Sequence, residues 1–172
     1  MRKLALTILF GVAIFISKGL LPTPMDKMLI AFQALFLALG ALIAKPFGAT
    51  RVAAIGALLT AIIRPILAPL TVIFAIAYGI LTDILIYAMG VEDSENSVRT
   101  KRLAAAMTVS TAITGMLSYY FSSHVLGVIP RNLVLEVTIL IGGTISGLLG
   151  GYVAAIAWRK ALKNLMIQHR PE

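Results

Sequence analysis

Polar residues punctuate this chain rather than alternate along it. Six apolar stretches, at about residues 4–21, 28–44, 50–63, 66–89, 103–126 and 133–158, are separated by short connections that carry most of the charge. A soluble helix shows an apolar stripe and a polar face, whereas these stretches are apolar nearly all round. Most approach the ~20 residues that a helix needs to cross a hydrocarbon core. No water reaches that core to serve the backbone, so only helices or closed barrels span it. The runs lack the period-two alternation of barrel strands. The pattern predicts an all-α membrane protein: a single domain over residues 1–172, six transmembrane helices in one compact bundle, and no soluble domain.

Composition sharpens this in three places. Apolar residues make up 59% of the chain and charged ones only 13%, about half the charged share of a soluble domain. The net charge of +8 is spread over the ends of the stretches rather than gathered into one tract, so no nucleic acid partner is expected. The absence of cysteine excludes disulfides, thiolate metal sites and a cysteine nucleophile together. Arg2 and Lys3 precede a first stretch that is long and has no A-x-A cleavage signal, which reads as a retained helix rather than a signal peptide.

Basic residues set the orientation. With six spans, one side of the membrane holds both termini and the second and fourth connections. That side carries 11 Lys and Arg: Arg2, Lys3, Lys45, Arg51, Arg99, Lys101, Arg102, Arg159, Lys160, Lys163 and Arg170. The other carries 4, at Lys18, Lys27, Arg64 and Arg131. Both termini are therefore expected in the cytoplasm of a cell membrane.

Enzyme signatures are missing. The chain has no Walker G-x-x-x-x-G-K-[ST] and no H-E-x-x-H, and no G-x-S-x-G elbow. Its two histidines make no ligand cluster. Neither an enzyme nor a bound cofactor or metal is expected.

Polar residues inside apolar stretches are costly and mark either function or structural pairing. The third stretch is short, which leaves Arg64 in a proline-bounded turn below the outer surface. There it either walls an outward-facing pocket or snorkels to the head groups. Tyr119, Tyr120, His124, Asn132 and Glu136 gather near the last external turn, with Gln33 and Tyr78 as candidate walls of the same pocket. Tyrosine faces stack flat ligands, and Asn and His supply donors and acceptors. Glu136 alternatively pairs with Arg131 or favours its helix N-terminus. Asp83 is read as pairing with Arg99, Lys101 or Arg102, the other reading being a cation or proton site. Gly143, Gly147 and Gly151 form a row spaced by four on the last stretch, suited to internal packing. Looser small-residue rows on the first stretch, Thr7/Gly11 and Ala13/Ser17, form a candidate docking face for another subunit.

The whole chain resembles the substrate-binding S components of energy-coupling factor (ECF) transporters. The resemblance is carried by six spans in a compact basic chain, by Lys45-Pro46-Phe47-Gly48-Ala49 opening the third helix, and by Tyr78-Gly79-Ile80-Leu81-Thr82-Asp83. It implies a vitamin-like ligand bound in the outer half, a scaffold membrane subunit, and two ATPase subunits that supply the hydrolysis. Members for cobalt and nickel begin Met-His, and this chain begins Met1-Arg2, which disfavours a metal substrate. The alternatives are a non-transporting six-span scaffold of the MreD type and a small stand-alone transporter. The stand-alone reading is weakened by the lack of an inverted repeat.

Overall fold

Within each apolar stretch the chain is rich in Leu, Ala, Ile and Met and keeps proline out of the helix interior, and each forms one α-helix. The computed structural model describes residues 2–19, 30–65, 68–91, 97–125, 127 and 132–162. The helices are α1 (Arg2–Gly19), α2 (Ile30–Ile43), α3 (Gly48–Ile63), α4 (Ala68–Ala88), α5 (Thr100–Tyr120) and α6 (Leu133–Ala157). Pro69 sits in the first turn of α4, where its missing N–H leaves no helical bond unmade. Both α5 and α6 run on into five-residue π-helical turns, Phe121–Val125 and Trp158–Leu162. Among the described residues the fold is helical throughout, with six α-helices, as the hydrophobic pattern predicts. By length and composition two of them are fit to cross a membrane: α4, and α6 with its extension to Lys160. The short α2 and α3 are apolar but have only 14 and 16 residues.

α2 is the axis of the bundle. It touches all five other helices, which pack on one another around it in the order α1, α3, α4, α5, α6. Nine of its residues are buried, from Gln33 to Ile43. Small residues set the spacing of this arc. A side chain at Gly147 would place its Cβ 2.5 Å from the Met107 carbonyl oxygen and 2.7 Å from the Thr108 Cα on α5. The Gly143–Gly147–Gly151 row is thus an α5–α6 contact, while Gly150 faces Ala34 of α2. A Cβ at Gly48 would collide with the backbone of Gly40, so α2 and α3 touch main chain to main chain.

The start of α3 shows how the elements lock. Its N-cap is Phe47, in the left-handed region at φ 61°, and an aromatic ring offers no acceptor for the first-turn amides. Asp83 reaches across from α4 and supplies one. Its carboxylate accepts from the Ala49 N–H at 3.0 Å, the Thr50 N–H at 2.9 Å and the Thr50 hydroxyl at 2.7 Å. This corrects the expected pairing of Asp83 with Arg99, Lys101 or Arg102. Arg102 instead donates to the carbonyls of Met89 and Gly90. Arg159 ties the end of α6 to the α4–α5 connection through the Val98 carbonyl.

Polarity is inverted relative to a soluble fold. Leu133, Ile62, Ile73, Leu4 and Leu148 are more than half exposed, while Gln33, Thr60, Thr82, Ser110 and Thr111 are buried.

Candidate functional site

The expected pocket residues divide into separate places. Tyr78, midway along α4, is buried and its hydroxyl lies 2.6 Å from the Thr111 hydroxyl on α5. Thr111 also donates to the Met107 carbonyl, as does Ser110 beside it. A fully buried polar atom without a partner, the Thr82 hydroxyl, lies one turn along α4 from Tyr78. Gln33 is buried on α2. Ser110 and Thr111 of α5 are thus satisfied on the preceding turn, and Thr111 also on Tyr78 across the α4–α5 contact.

Tyr119 and Asn132 form a turn lock rather than a pocket. The Asn132 side chain caps α6 by accepting from the Val134 N–H at 2.9 Å, as Asn does at helix starts. The Asn132 backbone N–H donates to the buried Tyr119 hydroxyl at 3.2 Å. Glu136 stands in the first turn of α6, where its charge complements the helix N-terminus. Arg131, its other expected partner, lies outside the described residues.

Tyr120 and His124 take a different direction. Their rings meet edge to face at 5.5 Å, and the Ser123 hydroxyl lies 3.0 Å from His124 Nδ1. Both line a groove of about 560 Å³ along α5. Its apolar wall is Ala112, Ile113, Met116 and Leu117, with Leu140 from α6. Phe121 and Val125 close the end beside Tyr120 and His124. The π-turn widens the helix there and aims Phe121, His124 and Val125 along the groove; such turns recur at functional sites. Phe121 also packs edge-on against Phe74 of α4 at 5.5 Å.

Arg64 ends α3, with its backbone N–H on the Thr60 carbonyl at 2.9 Å. α3 packs on α1, α2 and α4 and shares no substantial interface with α5 or α6. The helix that Arg64 ends is therefore not one of those that pack directly on the helices carrying Glu136 and the Tyr120–His124 groove. Of the residues expected to share one pocket (Gln33, Arg64, Tyr78, Tyr119, Tyr120, His124, Asn132 and Glu136), the described contacts join Tyr120 with His124 along the α5 groove and Tyr119 with Asn132 at the turn, while Gln33 and Tyr78 are buried on α2 and α4. Shared location at one end of a bundle does not make residues neighbours, and α4 stands between the two groups.

The proposed docking face on α1 is corrected in the same way. Thr7 is buried, and its hydroxyl donates to the Lys3 carbonyl at 2.8 Å. A Cβ at Gly11 would lie 2.5 Å from the Ile55 Cγ2, and the Gly11 carbonyl in turn faces Gly56. Half of that face is therefore occupied by α3. Ala13 and Ser17 are only partly covered. The groove residues had no signal in the sequence, since an isoleucine or methionine in an apolar helix looks the same whether or not it lines a hollow. Compared with family models, curated proteins and solved structures, the chain matches none.

Proposed function

We propose that this chain is a six-span bundle of the cell membrane with cytoplasmic termini, acting as the substrate-capture subunit of an ATP-driven importer of vitamin-like molecules. A scaffold membrane subunit and two ATPase subunits would complete the machine, because the chain has no nucleotide motif of its own. The observation that carries the reading is the inverted polarity. Aliphatic side chains cover the outside while Gln33, Tyr78, Thr82, Ser110 and Thr111 lie within. In lipid, interior polar groups are retained chiefly for binding and for helix pairing, and here they come from the axial helix α2 and from α4 and α5 of the arc around it. The basic asymmetry between the connections supports the orientation.

The test is native mass spectrometry of the protein purified in mild detergent. A small polar molecule released on unfolding, and lost or weakened in Tyr78→Phe and Gln33→Leu, supports the reading. A protein that emerges empty and takes up nothing from a vitamin mixture refutes it. One observation favours a scaffold instead: the α5 groove is open and lined almost entirely by carbon, which suits a neighbour in the membrane better than a vitamin.

A further inference from the structure

The first turns of α1 and α3 lie side by side. Gly11 of α1 meets Val52 and Ile55 of α3, and Ile14 meets Gly56, so the two helices run in the same direction. Lys3 stands eight residues before Gly11 and Phe47 eight residues before Ile55, which brings both to one end of the bundle. That end exposes three cations: Lys3 on α1, Lys45 in the α2–α3 turn and Arg51 in the first turn of α3. Partial burial, and then the charge of Lys3, lowers the Lys45 pKa from its ordinary value, as neighbouring ammonium groups do. Among the described residues Asp83 is the one carboxylate at this end, and it is taken up by the Ala49 and Thr50 amides and the Thr50 hydroxyl. Phe47 holds a left-handed backbone that glycine adopts without strain, yet it presents a ring that is 58% exposed. Phe47, Arg51, Leu58 and Ile62 recur at helical spacing and are all exposed, so they share one outer stripe of α3. An aliphatic stripe thus ends in an aromatic ring and a group of cations, the order in which a lipid presents its tail, its glycerol and its phosphate.

We propose that Lys3, Lys45 and Arg51 bind the head group of an anionic phospholipid of the cytoplasmic leaflet, with the Phe47 ring against its glycerol. Charge selects the lipid: a zwitterionic head brings its own cation to a site that already holds three, whereas an anionic one neutralises them. The site rests on the membrane reading and orientation given above but not on the importer reading, because none of its residues belongs to the buried polar set of α2, α4 and α5.

The test uses the full chain in phosphatidylcholine vesicles containing a small share of phosphatidylglycerol, with bromine on the tails of one lipid or the other. Bromine quenches tryptophan on contact. Phe47→Trp places an indole in the cluster, and the emission of the single native tryptophan, the buried Trp158, is subtracted with the unaltered chain. At equal share, brominated phosphatidylglycerol is expected to associate with the introduced indole about tenfold more strongly than brominated phosphatidylcholine. Adding Lys3→Gln, Lys45→Gln and Arg51→Gln should make the two lipids equal. Ile141→Trp, on an exposed part of α6, should be quenched alike by both. Should Phe47→Trp not fold, native mass spectrometry of the unaltered chain and of the triple glutamine variant compares the two lipids retained. Equal association of both lipids at position 47 overturns the site and leaves the membrane reading standing. The same preference at position 141 overturns it in favour of diffuse attraction. A preference abolished by inorganic phosphate at constant ionic strength overturns the lipid in favour of a free anion. An indole at position 47 shielded from both lipids, while that at 141 is quenched, overturns it in favour of a protein contact. No quenching at either position overturns the membrane reading as well.

Discussion

Asp83→Asn is the sharpest probe of how this bundle is held. The substitution keeps shape and volume and removes the charge. The amide oxygen can keep the two Thr50 donors, but the –NH₂ that replaces the other carboxylate oxygen then faces the Ala49 N–H, 3.0 Å away in the wild type, donor to donor. One charge-assisted hydrogen bond is lost, worth about 1.5–3 kcal/mol, together with the favourable charge at a helix N-terminus, worth about 0.3–1 kcal/mol. The site is part-buried, so the low end applies and a loss of about 2 kcal/mol is expected. Asp83→Ala, which removes all three bonds, should cost about 4 kcal/mol. Thr50→Val removes only the 2.7 Å hydroxyl bond and should cost about 1 kcal/mol. The Asp83→Ala/Thr50→Val double mutant should then fall short of additivity by about 1 kcal/mol. Hydrogen exchange reads the effect locally: amide protection at Ala49 and Thr50 should fall about thirtyfold in Asp83→Asn, with α6 amides unchanged. Unaltered exchange at those two amides would refute the cap. So would equal destabilisation by Arg102→Met with no further effect of Asp83→Asn, the signature of an ion pair in place of a cap.

Further expectations follow from the packing. Gly147→Leu should prevent folding, because its Cβ alone meets α5 backbone at 2.5 Å, whereas Gly142→Leu, with nothing within 4 Å, should melt like the wild type. Gly11→Leu should also lower the melting temperature, since Ile55 occupies the space it needs; a variant that folds normally and only loses a binding partner would restore α1 as a free docking face. Tyr78→Phe should cost about 1 kcal/mol by breaking the bond to Thr111, measured by denaturant titration in detergent. A single cysteine at Ser97 should label only from the cytoplasm and one at Leu133 only from outside; the reverse pattern would invert the topology.

The helices seen among the described residues were legible because they follow from short-range facts: where apolar runs begin, where prolines and polar clusters interrupt them, and which residues tolerate a first turn. Even the short third stretch showed itself, and its helix gains two residues at the start once Gly48 is counted. The partners were not legible. Asp83 and the amides it holds lie 33 and 34 residues apart in sequence, and several arginines are nearer along the chain. The candidate pocket was drawn from residues that share one end of the bundle. Whether they share a wall depends on the order of helices around α2, which no local pattern encodes. Tyr119 and Asn132 look like ligand-binding groups and are spent on a turn, because a helix start and a buried hydroxyl each need a partner before any ligand can claim them.

The central place of α2 has a consequence for how such a protein is made. Its buried residues meet α1 and α3 on one side and α4, α5 and above all α6 on the other, and α4 to α6 all follow it along the chain. At Ala34 the cover is Gly150, more than a hundred residues later. A chain cut before α6 would therefore leave the axis of the bundle bare on that side, so assembly is completed only when the last helix is in place.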